Sequence, residues 1–341
     1  MSDGAQSRVH HAVPRSLPGK VRPMKLLKKS LLLLLAAAVF FGLLGLVLTW
    51  RSDKPVDELK ARWAQPPSQF ILVDGMQVHV RDEGPRNDPL PIVLLHGTSA
   101  SLHTWEGWAA ALRGQRRVIR LDLPGFALTG PSPKNDYSAE AYVNTVTALL
   151  NQMGVRRFVV GGNSLGGLVA WSLAYAQPLR VERLILVDAS GYPPETGKTK
   201  LDIPIGFRIA RTPVLNKIVE YTLPRGLVEK SVRSVYGNPG KVTPELVDLY
   251  ADMTLREGNR RALVRRIEQG YTGKFEHIAA LTMPTLILWG GKDRLVPLEF
   301  ALRFERDIKG SRLVVFGDLG HVPQEEDPAR TVVEVKKFLG M

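Results

Sequence analysis

Short apolar runs and helix-periodic stretches alternate along this chain from Gln69 to its C-terminus. The apolar runs are rich in β-branched residues and leucine, which is typical of strands buried on both faces of a parallel sheet. The dipeptide Asp74-Gly75 between the first two runs favours a β-hairpin. We therefore predict strands at Gln69–Val73, Met76–Arg81, Ile92–Leu95, Arg117–Asp122, Phe158–Gly161, Leu184–Asp188, Thr285–Trp289 and Leu313–Phe316.

Helical patterns separate these strands, and such alternation predicts an α/β fold with a mostly parallel eight-stranded sheet and helices on both faces. The predicted helices lie at about 101–113, 139–153, 165–177, 297–308 and 327–339. Residues 191–280 lack strong strand patterns and contain helical ones. We expect a core formed by 69–190 and 281–341, with 191–280 as a helical cap over the carboxyl edge of the sheet.

Residues 31–50 form an uncharged apolar run of 20 residues, LLLLLAAAVFFGLLGLVLTW. A helix of this length spans the hydrocarbon core of a bilayer, which is ~30 Å thick. A buried core helix normally carries a polar face, and a signal peptide has a shorter apolar region followed by small residues. The run ends in Leu48, Thr49, Trp50 and Arg51, which flank a cleavage site poorly. An uncleaved membrane anchor is the favoured interpretation, although cleavage stays open.

About half of the net charge of +13 lies before this run, where residues 1–30 hold seven basic residues against the single acid Asp3, and the rest is scattered. The positive-inside rule predicts that this tail is cytoplasmic and that the catalytic part is extracytoplasmic, which means periplasmic if the source is a Gram-negative bacterium. No groove-reading motif accompanies the charge, so we expect no nucleic-acid partner. Residues 51–68 are mixed in charge, include Pro66-Pro67, and predict a partly helical linker.

Gly162-Asn163-Ser164-Leu165-Gly166 follows a predicted strand and precedes a predicted helix. This is the structural context that a G-x-S-x-G nucleophile elbow requires. Ser164 must adopt strained backbone angles to expose its hydroxyl, and a Cβ at 162 or 166 would clash with neighbouring backbone. The chain contains no cysteine, which excludes a thiol nucleophile, thiolate metal sites and disulfides.

The motifs HGTSASLHTW, DLPGFALTGP and GNSLGG, in this order, resemble those of the α/β-hydrolase superfamily over about residues 69–341. The resemblance implies a Ser164 nucleophile and an oxyanion hole built from the backbone N–H groups of Thr98 and Leu165. In that family the histidine at the position of His96 usually braces the loop. His103 and Trp105 either line the pocket or pack at a helix start.

A general base must follow the nucleophile in the chain, where His277 and His321 are the candidates. His321 matches the family's Gly-His before the last helix and is favoured, and an imidazole suits proton transfer at neutral pH. Asp293, in WGGKDRLVP, resembles the acid that orients this base, and Asp188 is the rival. Asp122 ends a strand in a turn motif and is interpreted as structural.

The sequence thus predicts a membrane-anchored serine hydrolase that cleaves a carboxylic ester or related acyl bond, with no metal or organic cofactor. Its expected partners are a small-molecule or lipid-like ester and, through residues 31–50, the membrane. Two alternatives stay open. One is a carbon–carbon bond hydrolase of ring-cleavage products, which the Asn-Ser-x-Gly-Gly elbow also resembles, and the other is a non-catalytic binding module on the same fold. The acyl and alcohol parts of the substrate and the oligomeric state are not predicted.

Overall fold

The computed structural model of the protein describes residue 1 and residues 22–193, 203, 205–212 and 215–341. The chain forms two compact units, Met1–Leu48 and Thr49–Met341. Most of the predicted basic tail, residues 2–21, lies outside the described residues.

The first unit contains one long helix, α1 (Arg22–Thr49). Its segment Leu27–Thr49 is long and apolar enough to cross a membrane, and none of its most apolar window is buried. A helix of a soluble core would be largely buried, so the structure disfavours that alternative. A membrane anchor and a signal sequence both fit the helix.

An eight-stranded sheet forms the centre of the second unit, in the order β1-β2-β4-β3-β5-β6-β7-β8. Strands β1 and β2 form an antiparallel hairpin, β2 pairs antiparallel with β4, and all other pairs are parallel. This confirms the predicted mostly parallel sheet. The strands are β1 (Ser68–Val73), β2 (Met76–Glu83), β3 (Ile92–Leu95), β4 (Val118–Leu121), β5 (Phe158–Asn163), β6 (Val181–Val187), β7 (Thr285–Gly290) and β8 (Arg312–Phe316).

The continuous apolar runs of the central strands follow from burial on both faces of the sheet. In β3, Val93 and Leu95 pack into the apolar cluster on one face, whereas Ile92 and Leu94 pack into the cluster on the other. Successive side chains of a strand point to opposite faces. Each strand position is therefore apolar, because helices cover both sides.

Helices flank the sheet and also form the segment between β6 and β7. The helices after α1 are α2 (Val56–Trp63), α3 (Glu106–Leu112), α4 (Ala139–Gln152), α5 (Leu165–Ala176), α6 (Ile205–Arg211), α7 (Leu215–Val219), α8 (Arg225–Val235), α9 (Pro244–Leu255), α10 (Asn259–Glu268), α11 (Glu299–Asp307), α12 (Pro323–Glu326) and α13 (Pro328–Leu339). Short 3-10 helices occur at Leu102–Trp105, Pro239–Lys241 and Phe275–Ala280.

The helical segment from α6 to α10 corresponds to the predicted cap, and its described residues contain no strand. Val228, Val232 and Val247 form a small apolar cluster of its own, which also includes Val322 of the core. Asn259 of α10 donates through its side-chain amide to the carbonyl of Ala127, in the loop after β4. The segment therefore packs on loops at the carboxyl ends of the strands.

The segment predicted as a linker, residues 51–68, packs against the cap. The Asp252 carboxylate in α9 accepts hydrogen bonds from Lys54 Nζ at 3.0 Å, Arg62 Nη1 at 3.1 Å and Trp63 Nε1 at 2.9 Å. Leu59 of α2 is buried in the core. The charged residues of this predicted linker form specific ion pairs with the cap.

A second contact ties the same segment to α10. Asp53 accepts two hydrogen bonds from the Arg260 guanidinium and one from the N–H of Gly258. The backbone N–H of Lys54 donates to Leu255 O at 2.7 Å, and Lys54 O accepts from the N–H of Glu257. Residues 51–63 are thus part of the folded second unit.

We expect Asp252→Asn to destabilise the second unit by about 1–3 kcal/mol, because one amide oxygen cannot satisfy three donors that lose their charged acceptor. Thermal unfolding of the full-length protein in detergent measures the change. Asp57→Asn is the matched control, since Asp57 is exposed and, among the described residues, forms an ion pair with Lys60 alone. Equal midpoints for the two variants would contradict the docked arrangement.

Candidate active site

Ser164 stands at the sharp turn between β5 and α5, with φ 54° and ψ −116°. Few non-glycine residues adopt a positive φ, and such angles persist only where the surroundings enforce them. Here the N–H of Ser164 donates to Val187 O at 3.1 Å, and its carbonyl accepts from the N–H of Ser190 at 3.0 Å. The adjacent strand end thereby holds the strained turn in place.

The two glycines of the elbow allow backbone to approach backbone. A Cβ at Gly162 would meet the carbonyl of Gly166, and a Cβ at Gly166 would meet the carbonyl of Leu95 at the end of β3. The clash predicted from the sequence at both positions is confirmed. This contact sets the start of α5 directly against the loop that follows β3.

The loop after β3 lies beside the nucleophile. A Cβ built on Gly97 would lie 3.1 Å from Ser164 Cβ and 3.0 Å from Asn163 Oδ1. In the described part of the chain, no acceptor takes a hydrogen bond from the N–H of Thr98 or of Leu165. Two backbone donors next to Ser164 are therefore available to a ligand, as the predicted oxyanion hole requires.

His96 braces this loop. Its Nε2 lies 2.9 Å from the N–H of Leu123, which can only donate, so Nε2 is unprotonated and Nδ1–H donates to Gly97 O at 2.7 Å. Complete burial lowers the pKa of His96, which favours this neutral form. The geometry agrees with the bracing role that the family resemblance implied.

Asp122 anchors the same region from the end of β4. Its carboxylate accepts from the N–H groups of Leu102 and Leu128 and lies 2.7 Å from His79 Nδ1. Burial opposes ionisation, but the neighbouring histidines and hydrogen bonds lower the pKa of Asp122 to about 2. Asp122 is a structural anion, in agreement with the sequence interpretation.

His321 and Asp293 form a buried pair at the ends of β8 and β7. His321 Nδ1 lies 2.7 Å from Asp293 Oδ2, while Asp293 Oδ1 accepts from the N–H groups of Leu295 and Val296. Because Asp293 can only accept as a carboxylate, the proton of a neutral His321 sits on Nδ1. The lone pair of Nε2 is then free to take a proton from another group.

Packing contacts account for the rival base His277 and for the pocket candidates His103 and Trp105. His277 stacks on Tyr175 with ring centroids 3.7 Å apart, and Trp105 is fully buried against Trp108. His103 Nε2 lies 3.1 Å from Trp63 O, and burial lowers the pKa of His103 to about 4. These contacts explain the positions of His103 and Trp105 without a role in lining the pocket.

Asn163 links the nucleophile to the base, a role that spacing in the sequence did not indicate. Its side-chain Nδ2 donates to Val187 O at 3.1 Å and to His321 O at 2.9 Å. The residue before Ser164 thus fixes the backbone of His321. Asn163 is the last residue of β5, and no pattern in the sequence singled out its amide.

Glu326 is a second residue that sequence reasoning missed. Its carboxylate accepts from the backbone N–H groups of Gly320, Gly237 and Asn238 at 2.7–2.8 Å. The N–H of His321 itself donates to Val235 O at 2.7 Å. The loop that carries His321 is therefore fastened to the cap at the end of α8.

Asp188, the rival acid, is fully buried next to the pair but does not orient the imidazole. One ligand atom from each of Asp188, Asp293 and His321 lies within 4.8 Å of the others, a spacing that a metal ion would also permit. The hydrogen bond between His321 Nδ1 and Asp293 Oδ2 already uses two of the ligand atoms that a cation would need. These residues therefore fit a proton-transfer chain better than a metal centre.

We expect Gly166→Ala to lower unfolding stability by about 3 kcal/mol or more, because its Cβ meets two backbone carbonyls that cannot move independently. Any folded protein should lose activity about 100-fold, since the elbow shifts against the loop after β3. Gly114→Ala is the control, because a Cβ there meets nothing within 4 Å. Wild-type unfolding and activity in Gly166→Ala would show that the contact is unimportant.

Comparisons with known proteins agree with this architecture. Residues 91–328 match the model of the alpha/beta hydrolase fold family. An uncharacterised protein of Mycobacterium tuberculosis is 31% identical over 303 residues, which cover 85% of this chain and 84% of that protein. A 2-hydroxy-6-oxo-2,4-heptadienoate hydrolase of Pseudomonas putida is 29% identical over 281 residues, which cover 80% and 95%.

Solved structures show the same fold. A meta-cleavage product hydrolase from Pseudomonas fluorescens superimposes with a TM-score of 0.68 at 26% identity, covering 80% of this chain and 97% of its own. A membrane phospholipase A superimposes with a TM-score of 0.68 at 24% identity, covering 93% of this chain and 98% of its own. The family match, the sheet order and the elbow together show that this chain belongs to the α/β-hydrolase family.

Proposed function

We propose that the protein is a serine hydrolase in which Ser164 attacks a carbonyl carbon, His321 transfers the proton and Asp293 orients the imidazole. The strained turn at Ser164, set against two unused backbone N–H donors, is the observation that carries the proposal. A positive φ at a residue with a side chain costs free energy, and such strain clusters at functional sites. The filled triad positions disfavour a non-catalytic binding module.

The proposed steps use the Ser164 hydroxyl and the hydrogen bond between His321 and Asp293. The Ser164 hydroxyl gives its proton to His321 Nε2 while Oγ bonds to the carbonyl carbon, and the oxyanion accepts from the N–H groups of Thr98 and Leu165. His321 then protonates the leaving group as its bond to the carbonyl carbon breaks. Water next gives a proton to His321 while its oxygen bonds to the acyl carbon, and the bond from that carbon to Ser164 Oγ breaks as His321 returns the proton to Oγ. Asp293 stays ionised throughout and stabilises the imidazolium.

We propose a carboxylic ester with an apolar acyl part as the substrate class. Between the loop after β3 and the cap lies a narrow space of about 10 Å³, enough for about one water molecule. Phe126, Met253 and Leu263 line it together with Ser99 and Asn259, and its described lining residues include no lysine or arginine. An acyl chain would enter only if the cap moves, and the apolar walls would then favour an apolar chain over a carboxylate without a charged partner.

Hydrolysis of a carbon–carbon bond is the second candidate, favoured by the relatives. The Pseudomonas putida relative is named for a 2-hydroxy-6-oxo-dienoate, and a structural neighbour is a meta-cleavage product hydrolase. The same attack by Ser164 on a ketone would apply, but a carbon leaving group must take the proton.

We expect the wild-type protein to hydrolyse p-nitrophenyl esters and to be labelled by a fluorophosphonate, and Ser164→Ala to lose about 10⁴-fold or more of the activity. Parallel assays with esters of increasing acyl length and with a 2-hydroxy-6-oxo-dienoate, followed by its absorbance, separate the two substrate classes. Leu179→Ala, at an exposed position, serves as the control. An unlabelled wild type, or an active Ser164→Ala, would refute the nucleophile.

We further propose that α1 is an uncleaved anchor with its basic N-terminal side in the cytoplasm and the catalytic unit outside. The support is the length and exposure of Leu27–Thr49 together with the charge asymmetry of residues 1–30. The membrane phospholipase A structure covers a larger share of the chain than the meta-cleavage product hydrolase does. At 24% identity, the similarity to the phospholipase structure supports a shared fold and nothing further.

Because the chain contains no cysteine, a single introduced cysteine can report on which side of the membrane its position lies. We expect a membrane-impermeant maleimide to label Asn151→Cys in intact cells or spheroplasts, because residue 151 is exposed on the catalytic unit, and to leave Ser7→Cys unlabelled. The reverse labelling would contradict the orientation.

Membrane attachment has a separate test. The double variant Leu35→Arg, Phe40→Arg should leave the membrane fraction, since each central arginine costs about 2.5–3.5 kcal/mol on insertion. Leu179→Arg, on the catalytic unit, should remain with the membrane. Retention of the double variant, or a mature protein that begins after residue 50, would contradict an uncleaved anchor.

A further inference from the structure

Asp188 lies in the turn after β6, between the nucleophile and the acid. Its φ of 43° is unusual for a residue with a side chain. Its N–H donates to Leu288 O at 3.0 Å, and two residues later the N–H of Ser190 donates to Ser164 O at 3.0 Å. The turn is therefore tied to the backbone of both β7 and Ser164.

The carboxyl group of Asp188 is fully buried and faces other acids. One ligand atom from each of Asp188, Asp293 and His321 lies within 4.8 Å of the others, and the negative charges of Asp293 and Glu326 both repel an ionised Asp188. In the described chain neither Asp188 nor Asp293 pairs with a lysine or arginine within salt-bridge distance. Two adjacent buried carboxylates without a cation cannot both be ionised at low cost.

The hydrogen bonds decide which of the two holds the proton. Asp293 receives three donors, the N–H groups of Leu295 and Val296 and the Nδ1–H of His321. Asp188 receives only the N–H of Gly290, on Oδ1 at 3.0 Å, and no described donor reaches its buried Oδ2. An anion at Asp188 would be poorly solvated, whereas an O–H there has the Asp293 carboxylate as its acceptor.

We propose that Asp188 is a positioning residue that stays protonated and donates a hydrogen bond from Oδ2 to the Asp293 carboxylate. The proposal rests on the proposed function, since it extends the Ser164, His321 and Asp293 triad by one group. Burial and the negative charge of Asp293 both raise the pKa of Asp188 well above its usual range, in agreement with this assignment.

The proton on Asp188 has a consequence for the base. Asp293 can accept about four hydrogen bonds, and Asp188 supplies the fourth. A fully bonded Asp293 is held in one orientation and is a weaker proton acceptor. It therefore orients the imidazole without overstabilising the imidazolium, so that His321 still protonates the leaving group.

The kinetics of two variants distinguish a neutral Asp188 from an ionised one. Asp188→Asn keeps a neutral donor, so kcat/KM for the ester should stay within about threefold of wild type, with the acid limb of its pH profile in place. Asp188→Leu has a side chain of similar size but no group that can donate a hydrogen bond to Asp293. For this variant kcat should fall about tenfold or more, and the acid limb of the pH profile should move to higher pH. An acid limb that moves to lower pH in Asp188→Asn, or wild-type kinetics in Asp188→Leu, would overturn the proposal.

A spectroscopic measurement covers the case in which a variant does not fold. With 13C in the aspartate carboxyl groups, infrared spectroscopy of the full-length protein should show a protonated aspartic acid that persists at pH values well above the usual aspartate range. Isotope labelling excludes Glu325, whose pKa burial also raises. Absence of this band in the wild type, or its persistence in folded Asp188→Asn, would overturn the proposal. Fluorophosphonate labelling of Ser164 in the same samples tests the proposed function independently.

Discussion

The close approach of the β3 carboxyl end to the start of α5 is the constraint on which the site depends. Only glycine at 166 permits the Leu95 carbonyl to lie so near, and this contact brings the loop at Gly97 beside Ser164. The strained Ser164 turn is then fixed from the other side by Val187 and Ser190. Nucleophile and oxyanion donors are thus positioned by backbone, whose geometry does not depend on flexible side chains.

Electrostatics organises the other half of the site. Asp122, Asp293 and Glu326 each collect several N–H donors, so their charges stabilise loops at the ends of the strands. Asp188 has one such donor and, among the described residues, no lysine or arginine partner, whereas the buried Asp252 has no backbone donor but pairs with Lys54 and Arg62. A buried acid can be an anion where several donors or cations surround it, and the scarcity of both around Asp188 is the basis for proposing that it is neutral.

The strands and the motif residues were predictable from the sequence because local periodicity and chain order determine them. Strand β3 matches its predicted bounds, whereas β6 begins three residues earlier, at Val181, where partly exposed positions interrupt the apolar run. The contacts of Asn163 and Glu326 join positions far apart in the chain, and no local pattern encodes them. The sequence did not predict that residues 51–63 pack against the cap. In a sequence, charged residues that form ion pairs cannot be distinguished from charged residues that face solvent.

The docked segment also defines where the catalytic unit can be cut. Removal of residues 51–63 would leave Asp252 and Arg260 buried on the cap without their charged partners. It would also deprive His103, just after the oxyanion loop, of the Trp63 carbonyl. A water-soluble form for crystallisation or inhibitor screening should therefore start at Thr49, at the boundary of the second unit. A truncation at the first strand would remove the contacts that residues 51–63 make with the cap, in addition to α1.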